Sequence, residues 1–575
     1  MIYSLSLGTT VTHTKMRTPA NLSPFSGMCS VCSANCVGMC EIGLSAIRGW
    51  EATYPYQTDR NQFASEKNYP VDFSHLNING RVFGARGCKE DPLEATYPNA
   101  DMSTSVGIEE PVKLKLPIIL PAMAKLNWRD YYAGAAMAGV MAVIGEDVVM
   151  KDQNVIIENE KVKKAPLIEE MLKAFRKYER GYGDIVLQGN VDDEHLGVLD
   201  YAIKELGVTS VELKFAQAAK GIQGLGIVDS LEEAQKLKNI GYIVHPDPTD
   251  TTVVEKFKKG AGPRFEKVGK LPIWDEEHLI KRVAELKALG AKRVFFKTGP
   301  FHPKDLAKIL SIASKAGVDL ITFDGAGGGT GNSPVKMMNE WGIPTIQLES
   351  LLYQLLKEMQ TKGYPLPQVA IAGGIAMEDQ VYKALALGAP YITIVGIGRA
   401  AMSAAMVGKT VEDLLEKEQV PTEYERFGKT KEELFEGLKE LKGLYEETED
   451  FSGGAIGVYS YLGRIKRGVQ QFMALNRKFK LTNIAREDVV PLTDQAKTIT
   501  GLEDYNDFLE EAFKGMISER MENCDEEGSG RETNEPMQVG FGRTEEKGNG
   551  AGNGVGNGPG NGPGNGAGNG FQRGK

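Results

Sequence analysis

A short apolar run that ends in a dense group of glycines constrains this chain more than any other part of its sequence. Residues 320–334 read LITFDGAGGGTGNSP, in which 320–323 have the composition of a β-strand and glycine dominates the remaining positions. A surface turn needs only one or two glycines, so this composition indicates a strand end that another group approaches closely through the backbone. Asp324 stands where the strand ends, which is where α/β enzymes present polar side chains. The glycines alone do not identify the ligand.

Eight short apolar runs alternate with amphipathic segments across residues 111–410. Each run is predicted to be a strand, and the runs cover residues 117–120, 140–144, 185–188, 211–215, 294–297, 320–323, 369–372 and 391–395. Eight strands that alternate with helices predict an α/β protein with a (β/α)8 TIM barrel. The long segment between residues 215 and 294 is expected to lie over the carboxyl ends of the strands, where barrel active sites are built.

The segments on either side of the barrel have other compositions. Residues 1–110 are predicted to be an N-terminal, Cys-rich segment with few regular elements, since prolines interrupt it. Residues 411–515 are charged and helical, with 431–447 predicted as one amphipathic helix, and are expected to form a helical extension packed on the barrel. Residues 516–575 contain GNGX repeats and are predicted to be a disordered tail, because they can bury almost no apolar surface.

Four of the six cysteines form a compact C-x2-C-x3-C-x3-C motif: Cys29, Cys32, Cys36 and Cys40. Four thiolates on one short loop can surround a single metal centre, either tetrahedral zinc or an iron–sulfur cluster. Zinc sites usually consist of two separated C-x2-C pairs, so the compact run favours a 4Fe–4S cluster, with zinc second and free thiols third. A disulfide-stabilised secreted protein would instead distribute its cysteines along the chain.

The overall composition bears on the class of partner. The chain is mildly acidic, with 67 basic and 77 acidic residues, and no stripe of lysine and arginine indicates a nucleic-acid partner. No apolar run is long enough to span a membrane, and the first residues lack the basic and apolar pattern of a secretory signal. The sequence therefore predicts a cytoplasmic protein that binds neither nucleic acid nor membrane.

Glycines come after the seventh and eighth predicted strands, as Gly373–Gly374 and as Gly396, Gly398 and Arg399. In TIM barrels the backbone N–H groups after these two strands, together with a helix N-terminus, commonly bind a phosphate group. Arg399 can add a charge-assisted hydrogen bond. Tight turns alone would also use glycine, but its presence after both strands favours a phosphate site for a ligand that the pattern does not identify.

Two lysines end consecutive predicted strands, Lys214 on the fourth and Lys297 on the fifth. A lysine at the carboxyl end of a barrel strand points into the site, where it can bind an anion or polarise an imine. A single such lysine would be assigned to solvent, whereas two on neighbouring strands favour a binding site. Glu146 after the second strand, and Gln217 and Lys220 after the fourth, are further candidates.

Three of these stretches together resemble the FMN-binding synthase domain of glutamate synthases, most of all the stand-alone branch that lacks a glutaminase domain. They are DGAGGGTGNSP at 324–334, VELKFAQAAK at 211–220, and IAGG at 371–374 with GIGR at 396–399. The resemblance covers roughly residues 111–407, with weaker similarity to about residue 492. The glycine motif is specific, whereas many barrels share the phosphate loops.

The resemblance implies a set of site residues. Catalytic roles fall to Lys297, Lys214, Glu146 and Gln217, and substrate binding to Lys214, Gln217 and Lys220. The two strand-end lysines match family positions that contact the flavin ring and bind the carboxylates of 2-oxoglutarate. FMN binding falls to both glycine-rich regions, namely Asp324, Gly328, Gly329, Thr330, Gly331, Gly373, Gly374, Gly396, Gly398 and Arg399.

The implied reaction is FMN-dependent reductive amination of 2-oxoglutarate by ammonia to give glutamate. The family ligates a 3Fe–4S cluster with cysteines after the eighth strand, where this chain has Ala400, Met402 and Met406. The N-terminal cysteines are therefore expected to take over electron transfer. Ala218 and Gly221 stand where the family usually has Gly and Pro, which affects the shape of the substrate loop.

The expected partners are inferred from two further features. No cysteine nucleophile comes after Met1, so ammonia is expected from outside the chain, with a separate glutaminase subunit as a possible source. No G-x-G-x-x-G motif lies outside the barrel, so ferredoxin or a reductase subunit is expected to donate electrons. Two alternatives stay open: a subunit that forms N-methylglutamate from methylamine, and a non-catalytic iron–sulfur electron-transfer subunit, against which Lys214 and Lys297 argue.

The cysteine motif gives a direct prediction. Anaerobically purified protein should contain about four iron and four sulfide per chain, measured by iron and acid-labile sulfide assays. Cys32→Ser should lower both values because it removes a ligand, whereas Cys524→Ser, at an isolated cysteine, should change neither. Stoichiometric zinc without sulfide would contradict the iron–sulfur assignment.

Overall fold

The computed structural model describes residues 45–47, 49, 53, 69–123, 126–216, 218, 221–222, 226–262, 264–328, 333–445 and 449–527. Eight parallel strands close into a barrel, each paired with its neighbour in chain order and the last paired with the first. They are β1 (Ile118–Met123), β2 (Met141–Ile144), β3 (Asp184–Gly189), β4 (Ser210–Lys214), β5 (Arg293–Thr298), β6 (Leu320–Asp324), β7 (Gln368–Ala372) and β8 (Ile392–Gly396). Every strand lies on one of the eight predicted runs, so the predicted α/β TIM barrel is confirmed.

One long helix comes after each strand on the outside of the barrel. These helices are α1 (Trp128–Ala138), α2 (Pro166–Arg176), α3 (Val198–Leu206), α4 (Glu276–Leu289), α5 (Pro303–Ala316), α6 (Thr345–Thr361), α7 (Glu378–Gly388) and α8 (Arg399–Leu415). The sequence determines their ends: α5 starts at Pro303, whose missing N–H costs nothing there, and ends at Gly317 in the left-handed region. Leu306 and Leu310 of α5 are buried in the main core.

The interior of the barrel changes character along its axis. Its amino-terminal part is filled by a separate apolar cluster that includes Met141, Phe295 and Leu320, closed off by Val106 and Leu114 from the strands Thr104–Val106 and Val112–Leu114. Towards the carboxyl ends the buried side chains become polar, and they are Gln188, Glu212, Lys214, Lys297 and Thr322. The barrel is therefore a packed core at one end and a polar chamber at the other.

The segment between β4 and β5 folds into a small antiparallel sheet with two helices, here called the excursion (residues 226–270). Its strands are Gly226–Val228, Phe265–Val268 in the centre and Ile243–His245, and its helices are Leu231–Asn239 and Thr251–Lys258. Lys267 on the central strand contacts Asp147 after β2 and Asp192 after β3. The excursion therefore touches the carboxyl ends of the strands, where it was expected.

The structure describes further short strands and helices besides the barrel and the excursion. Short strands pair as Leu76–Ile78 with Val489–Pro491 and as Ile156–Glu158 with Lys161–Lys164. Further short helices are Val148–Lys151, Val191–Leu196 and Val335–Glu340, and the C-terminal ones are Thr422–Glu425, Lys431–Leu434, Gly437–Leu444, α9 (Gly453–Leu475), Asp494–Thr500 and Tyr505–Glu527. The described residues before 511 form one compact unit, and those from 511 onward belong to a second. None of the described helices is both long and apolar enough to cross a membrane.

Helix α9 lies against α1 and α8 through glycines on all three helices. A Cβ on Gly134 of α1 would stand 2.5 Å from Val458 Cβ, and one on Gly408 of α8 would stand 2.1 Å from Gly453 O. Only glycine allows backbones to approach so closely. The predicted single helix over 431–447 is wrong: Phe435 leaves the helical region, with φ −100° and ψ 84°, and separates two short helices.

Glu349 of α6 gives a stability prediction. It is fully buried, neither carboxyl oxygen has a hydrogen-bond partner in the part of the chain described, and burial raises its pKa well above the ordinary 4.5, with Arg486 opposing the shift. The folded state therefore retains a proton that the unfolded state releases. Relative to Glu349→Gln, the wild-type free energy of unfolding should fall above pH 4.5 by up to about 1.4 kcal/mol per pH unit.

Denaturant unfolding of both proteins at pH 5.5 and pH 8 measures this difference. Taking the difference cancels other titrating groups that act independently. Glu358→Gln, an exposed change on the same helix, serves as the control and should follow the wild type at both pH values. Parallel pH profiles for the wild type and Glu349→Gln would show that Glu349 is ionised in the folded protein.

Candidate active site

The glycine stretch after β6 packs directly against the loop after β7. The Gly325 N–H donates to Ala372 O at 2.7 Å. A Cβ on Gly325 would stand 2.3 Å from Thr345 Oγ1, and one on Gly327 would stand 2.9 Å from Gly373 O. These two glycines are therefore required for contact between backbones inside the protein. The expectation of a close approach is met, but at these positions the neighbour is the chain itself.

Asp324 and Gly328 also face each other at this end of β6. A Cβ on Gly328 would stand 2.6 Å from Asp324 Oδ1, and the Ala218 N–H donates to Asp324 Oδ2 at 3.1 Å. Asp324 thereby connects the ends of β4 and β6. Gly329, Thr330 and Gly331 lie outside the described residues, as do Gln217, Lys220 and the cysteines Cys29, Cys32, Cys36 and Cys40.

The glycines after β7 and β8 are explained by different local constraints on the backbone. Gly373 and Gly374 adopt φ of 125° and 82°, a region that favours glycine. A Cβ on Gly396 would stand 2.7 Å from Ala372 Cβ, so this glycine allows β8 to pack on β7. Gly398 is different, since a Cβ there would meet only Pro121 Cγ at 4.0 Å. Space is therefore open beside Gly398 at the N-terminus of α8.

Arg399 occupies the first position of α8. Its half-buried guanidinium has no hydrogen bond or ion pair with any residue that the structure describes. Burial lowers its pKa and the charge of Asp324 opposes this, yet a guanidinium stays protonated in proteins. No side chain caps the helix N-terminus beside it. A cation without an ion pair, uncapped helix N–H groups and open space together form an anion-binding arrangement.

Lys214 and Lys297 lie side by side at the carboxyl ends of β4 and β5. The two residues are register partners, and both are buried, with exposed fractions of 0% and 4%. The Lys214 ammonium donates to the Glu146 carboxylate, so the structure brings these three predicted residues together. The Lys297 ammonium has no hydrogen bond or ion pair within the described ranges. An anion that enters here would meet one paired and one unpaired ammonium.

Glu212 is a site residue that sequence reasoning missed. It lies on β4 two positions before Lys214, so both side chains point into the barrel. Gln188 Nε2 donates to one carboxyl oxygen, and the other has no partner among the described residues. Burial raises the pKa of Glu212, opposed by Lys297, by the hydrogen bond from Gln188 and by Lys214. The period-two spacing of Glu212 and Lys214 in VELK was the available signal.

A second polar network lies at the carboxyl ends of β2 and β3. Asp147 N–H donates to Asp193 Oδ2 at 3.1 Å, and Asn190 Nδ2 donates to Asp147 Oδ1 at 3.1 Å. Burial, followed by the charge of Asp147, raises the pKa of Asp193 to about 8. Lys267 enters this network from the excursion. Proximity to Glu146 makes the network part of the surroundings of the lysine pair.

Part of the chain that carries these features is similar to known proteins. Residues 269–409, which span β5 to β8 and both glycine regions, match the model of the conserved region in glutamate synthase. The glutamate synthase large subunit-like protein YerD of Bacillus subtilis is 30% identical over 190 residues, which cover 32% of each chain. An archaeal glutamate synthase (NADPH) of Archaeoglobus fulgidus is 31% identical over 319 residues, 54% of this chain and 52% of the relative.

The alignments thus span about a third and about half of those two relatives. Among solved structures, the flavin-binding domain of baker's yeast flavocytochrome b2 is 14% identical with a TM-score of 0.40, over 72% of this chain and 76% of that chain. The family match rests on the segment that carries Lys297, the glycine stretch and both loops around Arg399. This part of the chain is therefore similar to the conserved region in glutamate synthase.

Proposed function

We propose that this chain is an FMN-dependent oxidoreductase of the glutamate synthase type, which reductively aminates 2-oxoglutarate to L-glutamate. The observation that carries this proposal is a pair of cationic side chains at one end of the barrel, Lys297 on β5 and Arg399 after β8, neither of which has an ion pair or side-chain hydrogen bond in the described part of the chain. Each marks a place for an anionic group. The strands that carry them are not neighbours, so one place suits the phosphate of a cofactor and the other the carboxylates of a substrate.

The residues around Arg399 fit the phosphate of FMN. Gly374 is exposed after β7, the α8 N-terminus offers N–H groups, and Gly398 leaves the space open. A dianionic phosphate would form an ion pair with the Arg399 guanidinium. FMN, when bound, supplies the hydride for the reduction, and the protein supplies binding, orientation and electrostatics.

The residues around Lys297 fit a dicarboxylic 2-oxo acid. Lys214 and Lys297 offer two adjacent ammonium groups, and Glu146 holds Lys214 in place. Lys214, Lys297 and Glu146 are two cationic side chains and one carboxylate, so the group carries a net positive charge. Burial raises the pKa of the nearby Glu212, which favours its neutral form. In a buried site this charge attracts a dianion more strongly than it would in water. Lys297, which has no partner of its own, can hold a proton against the substrate imine.

Electrons are proposed to enter through an iron–sulfur cluster on Cys29, Cys32, Cys36 and Cys40. Their compact spacing supports this route, as does the replacement of the family's cluster cysteines after β8, where Met402 is instead buried in the core. Ferredoxin or a reductase subunit would donate single electrons. Ammonia, supplied directly or by a separate glutaminase, is the proposed nitrogen source, and methylamine would point to N-methylglutamate formation.

Lys297→Met tests the substrate half of the site. With a reduced one-electron donor, 2-oxoglutarate and ammonium, the wild type should form glutamate. The variant should lose about 100-fold or more in kcat/KM, because it removes a buried ammonium that the substrate needs, while it retains flavin. The matched control Lys308→Met, an exposed lysine on α5, should retain full activity.

Three further results of that assay would be decisive. Normal turnover by Lys297→Met would contradict its assigned role. Product from methylamine but not from ammonium would favour the N-methylglutamate alternative. Absence of turnover with every amine, in protein that carries both flavin and cluster, would favour an electron-transfer subunit.

Gly398→Val tests the cofactor half of the site. Its Cβ meets only Pro121 Cγ at 4.0 Å, so the protein should fold, but the valine side chain would fill the space proposed for the phosphate. FMN affinity should fall about 100-fold or more, measured by flavin titration of apoprotein, with the melting temperature of apoprotein little changed. Gly463→Val, where a Cβ meets nothing within 4 Å, is the control. Wild-type FMN affinity in Gly398→Val would place the phosphate elsewhere.

A further inference from the structure

Lys267 stands where the fold of the excursion calls for an apolar residue. Burial alternates along the central strand Phe265–Val268, so that Phe265 and Lys267 are buried while their neighbours are half-buried. Only 1% of the Lys267 surface is exposed. A lysine on the inner face of a small sheet costs free energy unless other groups compensate its charge. Its presence there requires partners from the barrel.

Those partners are carboxylates at the ends of two barrel strands. Lys267 Nζ donates to Asp147 Oδ2 at 3.0 Å and lies 3.1 Å from Asp192 Oδ2. The second oxygen of Asp192 is 3.2 Å from Lys270 Nζ, also in the excursion. Lys267 Nζ further lies 4.9 Å from the centre of the Tyr242 ring. Two lysines of the excursion are therefore anchored on the carboxyl ends of β2 and β3.

Asp147 is the connection from this anchor to the active site. Its backbone is in the left-handed region, with φ 58°, and its N–H donates to Asp193. Its two carboxyl oxygens take one hydrogen bond each, from Asn190 and from Lys267. The preceding residue is Glu146, whose carboxylate accepts from Lys214. The position of Glu146 is thus limited by β2 on one side and by a clamped Asp147 on the other.

We propose that Lys267 is a positioning residue for the Glu146–Lys214 pair, acting through Asp147, so that docking of the excursion organises the binding site for the dianionic substrate. The role in substrate binding rests on the proposed function, whereas the ordering of Glu146 by Lys267 does not. A purely structural ion pair would stabilise the excursion without affecting residues beyond Asp147. The two roles differ in what happens at Glu146 when Lys267 is removed.

Hydrogen exchange of the ligand-free holoprotein measures the ordering directly. Lys267→Met should raise exchange over residues 145–149 at least about 10-fold, because Asp147 loses one of its clamping contacts, while β5 to β8 stay unchanged. Asp147→Asn, which retains an oxygen for Asn190, should raise exchange over the same residues to a smaller extent. Lys258→Met, at an exposed lysine of the excursion, is the matched control and should match the wild type.

Calorimetric titration with 2-oxoglutarate then tests the path through Asp147. Lys267→Met should raise the dissociation constant about 10-fold. If Lys267 acts through Asp147, the double variant with Asp147→Asn should bind no more weakly than Lys267→Met alone, whereas independent roles would give additive losses. This non-additivity is a readout that a merely structural ion pair would not produce.

Each outcome bears on one claim. Wild-type exchange over 145–149 in a folded Lys267→Met protein, or additive losses in the double variant, would overturn the positioning role. If Lys267→Met does not fold, unchanged exchange in Asp147→Asn overturns it as well. A wild-type protein that does not bind 2-oxoglutarate would contradict the proposed function, and the exchange measurement would still decide whether Lys267 orders Glu146.

Discussion

Cationic side chains without an ion-pair partner among the described residues, at the carboxyl end of the barrel, are the constraint on which the rest of the candidate site depends. Lys297 is buried and Arg399 is half-buried, and neither has a partner among the residues that the structure describes. A buried cation without a partner costs free energy in the absence of a ligand. On the proposed function, the phosphate of the cofactor and the carboxylates of the substrate would supply the opposite charges.

The protonation of Glu212 bears on the charge of this part of the barrel. Glu212 lies closer to the barrel core than Lys214 on the same strand, and burial favours its protonated form. If Glu212 were fully ionised it would neutralise Lys297 and remove the attraction for a dianion. A single hydrogen bond from Gln188, with the other oxygen unpaired, stabilises a carboxylate less than full solvation does. Burial of Glu212 within the barrel thus influences its protonation, and through it the net charge of the polar residues at the carboxyl ends of the strands.

The sequence was sufficient to predict the barrel, because each strand is a short apolar run between helical patterns, and both periodicities are local. It also placed Lys214, Lys297 and Glu146 near one another, since strand ends share one face. It did not reveal why Gly325 and Gly327 are glycines, because their neighbours, Thr345 and Gly373, are identified only by the fold.

Residues that act through long-range pairing were missed for the same reason. Lys267 reads as an ordinary surface lysine in a polar stretch, and its partner Asp147 is 120 positions earlier. The helix break at Phe435 was also not predicted. The helical spacing of apolar residues over 431–447 continues through Phe435, although the backbone at this residue is not helical. The assignments of Gln217, Lys220, Gly329, Thr330, Gly331 and the four clustered cysteines stay predictions.

The two halves of the barrel mouth are built from different kinds of contact. After β6, β7 and β8, glycines allow close packing, as where Gly327 meets the Gly373 backbone and Gly396 meets Ala372. After β2, β3 and β4, the contacts are ion pairs and hydrogen bonds between side chains, and one partner belongs to the excursion. Backbone packing suits a cofactor that stays bound, because its geometry is fixed before the ligand arrives. A network of side chains that depends on a docked segment suits a substrate that must enter and leave at every turnover.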